Sequence, residues 1–136
     1  MLLDDPLDIL KERLEFIDGL TVTTNPSATI VVPMATVNFD EVNYRESMTP
    51  GGAILDAVIV VYVSTADSAE GMVEARGYLS PDGANSVRAA LEVTTDDLTS
   101  RVTVLTGSAG PYERLNGERF IVARFTARVH LSTASY

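Results

Sequence analysis

The sequence predicts an α+β fold, in which a mixed, mostly antiparallel sheet is packed on one face by an N-terminal helix and a tandem helix pair. Three patterns indicate this class: helical spacing of apolar residues near the N-terminus, a nearly continuous apolar segment at residues 54–63, and strict alternation over residues 120–131. The 136 residues have the length of one domain, so residues 1–136 are expected to fold as a single unit.

The segment 4–18 is predicted to form an amphipathic helix, because its apolar residues recur every three or four positions. Asp5 before Pro6 is a predicted N-cap, and Gly19 is placed to end the helix. The apolar stripe comprises Leu7, Leu10, Leu14 and Ile17.

Three strands are predicted after this helix. The first spans residues 20–24, and the second spans residues 28–32, where Pro33 stops it or confines it to a sheet edge. The third spans residues 35–44, and its alternation breaks at Asp40-Glu41, which indicates a β-bulge.

The segment 54–63 is apolar apart from Asp56, as is typical of a central strand covered on both faces. Helical spacing resumes at Ala69, and Ser80-Pro81 predicts the start of a second helix that continues through Leu91. Two helices in tandem are therefore expected to follow the central strand.

The last part of the chain is predicted to contain two strands, at residues 101–106 and 120–131. A segment with glycine and proline, residues 107–119, is expected to form a corner or loop between them. In the last strand, the odd positions 121–131 are apolar and the even positions 124–130 are polar or basic, so one face packs and the other meets solvent or a partner.

Composition excludes several classes of function. The chain has no cysteine, which excludes disulfides and thiolate metal sites. The formal net charge of −9 argues against a groove that binds nucleic acid through phosphate neutralisation. The longest apolar run, Ala57 to Val63, is far shorter than the ~20 residues of a transmembrane helix. With no signal peptide visible, we expect a soluble protein without a membrane partner.

Sequence motifs for catalysis are missing. His130 is the one histidine, and no Gly-x-Ser-x-Gly nucleophile motif accompanies it. The carboxylates have neither EF-hand nor zinc-site spacing, and Gly51-Gly52 lacks the Lys-Ser/Thr of a P-loop. We therefore expect a protein that is not an enzyme, with no catalytic residue, metal site or cofactor.

Two surfaces are candidates for contact with another subunit or a partner. One is the loop after residue 43, which is otherwise an ordinary hairpin tip. The other is the polar face of the last strand, which is otherwise a solvated face or the wall of a site for an acidic ligand. The candidate residues are Tyr44, Arg45, Met48, Arg124, Arg128 and His130.

Residues 60–92 also carry a resemblance. A strand ending Val63-Ser64 precedes a helix rich in small residues, a Ser-Pro-Asp-Gly turn at 80–83, and a helix ending Val-Arg-Ala-Ala-Leu-Glu at 87–92. This order resembles the tail terminator (tail completion or neck) proteins of long-tailed phages that infect actinobacteria. Looser similarity extends to the helix before Gly19, the segment 30–33 and the strand 119–129.

The resemblance implies a virion protein of the tail or neck, assembled in the host cytoplasm. Its expected partners are its own copies in a homo-hexameric ring, the major tail tube protein, and the head-tail connector or stopper protein. DNA would pass through the lumen without specific binding, in agreement with the negative charge of the chain.

Two alternatives remain at this point. One is another neck component, a head-tail connector or a stopper. The other is a small α+β ligand-binding module or enzyme with a pocket over the sheet, for which Arg124, Arg128 and His130 are the candidate polar set.

Overall fold

A computed structural model describes residues 4–17, 19–24, 30–43, 53–65, 69–81, 83, 86–92, 100–114 and 117–131. The helices and strands are α1 Asp4–Leu14, β1 Thr21–Thr23, β2 Met34–Asn43, β3 Ala53–Thr65, α2 Ala69–Tyr78, α3 Val87–Leu91, β4 Ser100–Glu113 and β5 Arg119–Leu131. The described strands form one sheet in the order β1-β2-β3-β5-β4. Only β1 and β2 are parallel. The predicted α+β class is confirmed.

The pairing of β3 with β5 forms the middle of the sheet. The two strands are antiparallel, with Ile59 opposite Phe125 and Val61 opposite Ala123. Because side chains alternate along a strand, the apolar odd positions of β5 all point to the face that carries the helices. The main core lies between this face and the helices, and it includes Leu10, Leu14, Val37, Leu55, Ile59, Val87, Leu91, Phe125 and Val129.

The three helices cover different parts of this face. Helix α1 contacts β1, β2 and α3, whereas α2 lies over β3, β5 and β4. The guanidinium of Arg13 donates from Nη1 to the carbonyl oxygen of Leu91 at 2.8 Å. This bond satisfies a carbonyl at the C-terminal end of α3, where the helix itself provides no donor.

Helix α1 starts at Asp4, as predicted, and is shorter than predicted at its C-terminal end. It ends at Leu14, and residues 15–17 form a turn in which Ile17 still reaches the core. Asp5 and Pro6 lie inside its first turn, so Asp5 is not the N-cap. Pro6 fits there because the first amides of a helix have no intrahelical acceptor.

Helix α3 is much shorter than the predicted second helix. Its N-cap is Ser86 rather than Ser80, with Oγ accepting from the amide of Ala89 at 3.0 Å. The same hydroxyl donates to the carbonyl oxygen of Ser80. Ser86 is 1% exposed, so this hydroxyl ties the preceding turn to the helix inside the core.

Strand β4 is longer than predicted, because the segment 107–113 continues the strand instead of forming a loop. Gly107 fits here for a steric reason. A Cβ at this position would lie 2.8 Å from Cδ2 of Leu79 and 3.1 Å from the ring of Phe125. The glycine therefore allows β4 to pass close under the end of α2.

Of the remaining strand predictions, one is confirmed and one is wrong. The bulge in β2 is confirmed, since the register with β3 shifts between Phe39 and Glu41. The predicted strand at 28–32 is wrong for its described part, because residues 30–32 are not in a strand. Ile30 and Val32 instead pack on the second face of the sheet.

The outer edge of β4 is partly closed by a side chain. The amide of Val104 donates to Oε2 of Glu92 at 2.8 Å, so this N–H points away from β5. Arg88 holds the other carboxylate oxygen, with Nε 3.3 Å from Oε1. A strand bulge lies next to this point, between Val104 and Thr106. Blocked amides and bulges both oppose further strand pairing.

Replacement of Ser86 with alanine is expected to destabilise the fold by about 1 to 2 kcal/mol, because it removes the N-cap and leaves the Ser80 carbonyl without its donor. Urea denaturation followed by circular dichroism measures this change. Ser108→Ala is the matched control, since Ser108 is exposed, and it should change the stability by less than about 0.5 kcal/mol. Equal effects of the two substitutions would contradict the capping role.

Candidate functional site

The loop residues predicted to form a contact surface, Tyr44, Arg45 and Met48, lie outside the described residues. The other predicted surface is described. It belongs to the side of the sheet opposite the helices, which we call the open face. Its described side chains include Thr36, Asn38, Asp56, Val58, Val60, Ser108, Arg124, Thr126, Arg128 and His130.

The structure places Arg124, Arg128 and His130 on the open face of β5, as the alternation predicts. Arg124 and His130 are exposed, and Arg128 is half-buried. Two residues advance a strand by about 6.8 Å, so about 20 Å separate the Cα atoms of Arg124 and His130. The three side chains form a line along the strand and do not converge on one point. This arrangement suits an extended partner surface better than a small ligand.

Arg128 is held by an ion pair across the strands. Its Nε lies 3.1 Å from Oδ1 of Asp56, the residue opposite it on β3. The side chains of Arg128 and Asp56 remain 37% and 23% exposed. This pair explains why β3 tolerates one carboxylate, because Asp56 points to the open face and not into the core. The sequence alone did not reveal it, since strand register is a tertiary property.

Arg124 differs from Arg128 because it has no carboxylate partner among the side chains that the structure describes. Its cross-strand neighbours are Val60 on β3 and Ser108 on β4. Val60 is half-buried and extends a short apolar strip with Val58 on the same strand. The middle of the open face therefore presents an unpaired cation beside apolar side chains.

One end of the open face is apolar and aromatic, and we call it the minor cluster. Tyr62, Phe120 and Val122 are buried there, with Ile30 and Val32 packed against them. The ring of Tyr62 lies edge-on to Phe120 and to Tyr112, with centroid distances of 5.2 and 6.1 Å. Tyr112 is 41% exposed, so the cluster presents an aromatic side chain at the surface.

The apolar sequence of the central strand β3 predicted coverage on both faces, but the structure shows that the two faces are covered unequally. Its helix-side residues are fully buried, whereas Asp56, Val58 and Val60 on the open face are only partly covered within the described residues. The minor cluster covers Tyr62 at one end. An apolar strand face that its own chain leaves partly exposed indicates a surface for contact.

The burial of Tyr62 raises its pKa above 10, with the nearby phenol of Tyr112 adding to the increase and Arg114 and Thr36 opposing it. Tyr78, buried by α2 and close to Glu74, also has a raised pKa. Both groups are neutral at physiological pH, so neither provides a charge for binding. They couple the fold to pH only in the alkaline range.

Other chemistry has little support in the described residues. They contain no group of three or more His, Asp or Glu side chains that could hold a metal ion. None of the helices within them is long and apolar enough to span a membrane. The arrangement of the open face supports binding through charge and apolar contact.

The Asp56–Arg128 pair is expected to contribute less than about 1 kcal/mol of coupling free energy, because both side chains remain partly solvated. A double-mutant cycle with Asp56→Ala, Arg128→Ala and the double variant, measured by urea denaturation, gives this coupling. A value above about 2 kcal/mol would mean that the pair is desolvated and structural, in contradiction to the exposed face described above.

The raised pKa of Tyr62 predicts a loss of stability at alkaline pH. A raised acid pKa stabilises the protein below the unfolded value of about 10, and this contribution disappears as pH rises through the folded value. Tyr62→Phe should therefore lose less stability than wild type between about pH 9.5 and 11.5 in urea denaturation. Tyr78→Phe should remove a second, separate part of the loss. Identical alkaline profiles for wild type and Tyr62→Phe would contradict this prediction.

Comparison of the chain with protein-family models and with curated proteins finds no match. The functional inference therefore depends on the open face and on the resemblance of residues 60–92 to tail terminators. On this face, Arg124 has an apolar neighbour and no carboxylate partner among the described side chains. It is therefore the cation that is available for contact with a partner.

Proposed function

We propose that this protein is a structural component of a phage virion, a tail terminator that forms a homo-hexameric ring. The ring caps the tail tube and joins it to the head connector. The open face carries the proposal, because it combines an arginine without a carboxylate partner among the described side chains, a partly exposed apolar strip and an exposed tyrosine on one side of the sheet. Among ring-forming proteins, tail terminators are proposed because the order of motifs in residues 60–92 resembles theirs.

The residue types on the open face support a protein contact. Tyrosine and arginine are enriched at interfaces, and Tyr112 and Arg124 are both exposed there. On β3, the strip formed by Val58 and Val60 follows Asp56, and Val60 lies directly opposite Arg124. Polar residues with short side chains, Thr36 on β2 and Thr126 on β5, flank the strip and leave the surface low enough for close approach.

The charge distribution supports passage of DNA without binding. The chain carries 19 acidic and 10 basic residues. On α2 the exposed acidic side chains, Glu70 and Glu74, outnumber the exposed basic side chain Arg76, so this helix presents a net negative surface. A lumen lined by such a surface repels phosphates, so DNA slides through a ring of this kind without sequence-independent adhesion.

Purified protein is expected to form hexamers of about 88 kDa, six copies of the 14.6 kDa chain, with a central pore. Sedimentation velocity over a wide concentration range gives the mass, and negative-stain electron microscopy gives the pore. Heterologous contacts that close produce such rings. A protein that is monomeric at every concentration tested would overturn the proposal.

The place of the ring in the virion is tested with the partners. Tubes polymerising from the purified major tail tube protein should stop elongating when the ring is added, and gold-labelled rings should lie at tube ends. A head-tail connector or stopper would instead bind the portal complex and leave tube growth unchanged. That second result would replace the terminator by the neck component that is its closest alternative.

A further inference from the structure

Helix α1 carries a surface that is complementary to the open face. Asp8, Glu12 and Glu15 are exposed and occur at spacings of four and three residues, which places them along one side of the helix axis. Phe16 follows them directly and is 86% exposed, the most exposed of the large apolar side chains described. We call these four residues the acidic stripe.

The basic residues of α1 do not neutralise the acidic stripe. Lys11 and Arg13 are half-buried on the sides of the helix, and Arg13 donates to the carbonyl oxygen of Leu91. The stripe therefore presents three carboxylates and an aromatic ring to solvent. The aromatic ring and the carboxylates together are complementary to a partner surface with apolar and basic groups.

The order of groups along the open face matches the order along the acidic stripe. From one end, the open face presents the minor cluster with exposed Tyr112, then Arg124, then Arg128. The stripe presents Phe16, then Glu15 and Glu12, then Asp8. In both surfaces an aromatic end precedes the charges, and the charges have opposite sign.

The distances also agree. Arg124 and Arg128 lie four residues apart on a strand, about 14 Å between Cα atoms. Asp8 lies in α1, and Glu15 directly follows its last residue with its amide still donating to the carbonyl oxygen of Lys11 at 3.0 Å, so the two are about 10.5 Å apart along the axis. The difference is within the reach of arginine side chains. Phe16 and Glu12 are about 6 Å apart along the helix, close to the ~7 Å step from Val122 to Arg124 on β5.

We propose that the acidic stripe of one copy docks on the open face of the next copy, and that this is the subunit contact of the ring; the inference rests on the proposed function. Phe16 packs beside Val60 and Tyr112, Glu12 and Glu15 approach Arg124, and Asp8 approaches Arg128. Arg128 already pairs with Asp56, so Arg124 is the principal cation of the contact.

The two surfaces meet only between molecules. Helix α1 lies on the helical side of the sheet, and the open face lies on the other side of the same sheet. Because the two surfaces lie on opposite sides of the sheet, a two-fold contact through either surface alone would bring two copies of the same surface together, so its charged groups would lack the groups of opposite sign. The complementary contact is therefore heterologous, which closes into a ring or continues as a filament according to the rotation per copy.

The absence of cysteine in the sequence permits a direct test by cross-linking. Glu12→Cys and Arg124→Cys in the same chain should give, with a short bis-maleimide cross-linker that spans the length of the two replaced side chains, a covalently linked ladder that ends at six copies. A mixture of the two single variants should give one linked dimer between different variants. Dimers formed by either single variant alone at the same rate would indicate a two-fold contact and overturn the proposal.

Charge reversal tests the same contact by affinity. Arg124→Glu and Glu12→Arg should each weaken assembly at least about ten-fold in sedimentation equilibrium, and the double reversal should recover most of it. Arg76→Glu and Glu70→Arg, exposed residues of α2, are the matched charge controls. Phe16→Ser should weaken assembly, whereas Val73→Ser, which alters an exposed valine of α2, should not.

The outcomes separate this inference from the proposed function. Rings that persist unchanged in Arg124→Glu and Phe16→Ser would overturn the docking of α1 on the open face and leave the ring itself intact. Wild-type protein that is monomeric at all concentrations would overturn both. Thermal unfolding of each variant verifies the fold, because all substituted side chains are exposed at the surface.

Discussion

The antiparallel pairing of β3 with β5 is the constraint on which the rest of the molecule depends. It places Ile59 beside Phe125 under α2 and, by the same alternation, Val60 beside Arg124 on the open face. A register shift of one residue would move β5 side chains between the two faces and bring arginine into the core. Core formation therefore also determines which polar groups are displayed, and the docking surface follows from the packing of the hydrophobic side.

Much of this arrangement could be predicted from periodicity. The alternation of residues in the sequence of β5 places Arg124, Arg128 and His130 on one face, and the structure has them there. The periodicity of the sequence could not show which of these residues forms an ion pair, because the partner of an arginine is set by strand register. Asp56 and Arg128 are 72 residues apart in sequence and meet only after β3 and β5 pair. The residue opposite Arg124 on β3 is Val60 instead of a carboxylate, and this single difference leaves the guanidinium available for an intermolecular contact.

The wrong predictions have local causes. Glycine and proline in residues 107–111 have the composition of a loop, yet the backbone there is a strand paired with β5, and Gly107 leaves free the space that a Cβ would occupy beside Leu79 and Phe125. Ser80 and Ser86 are both able to cap a helix, and burial of Ser86 in the core decided between them. In both places tertiary packing outweighed the local conformational preference. The sequence pattern indicates that local preference but does not reveal the tertiary packing.

The carboxylate of Glu92 on the Val104 amide has a consequence for self-association. A protein that meets its own copies at high local concentration must not let strands add to each other without limit, because such growth leads to fibrils. By covering a backbone donor at the outer strand, Glu92 makes that route less favourable while leaving the broad surface of the sheet accessible. Copies are thereby directed to recognise side chains, whose pattern occurs once per molecule, and not a backbone edge, which any extended peptide would fit.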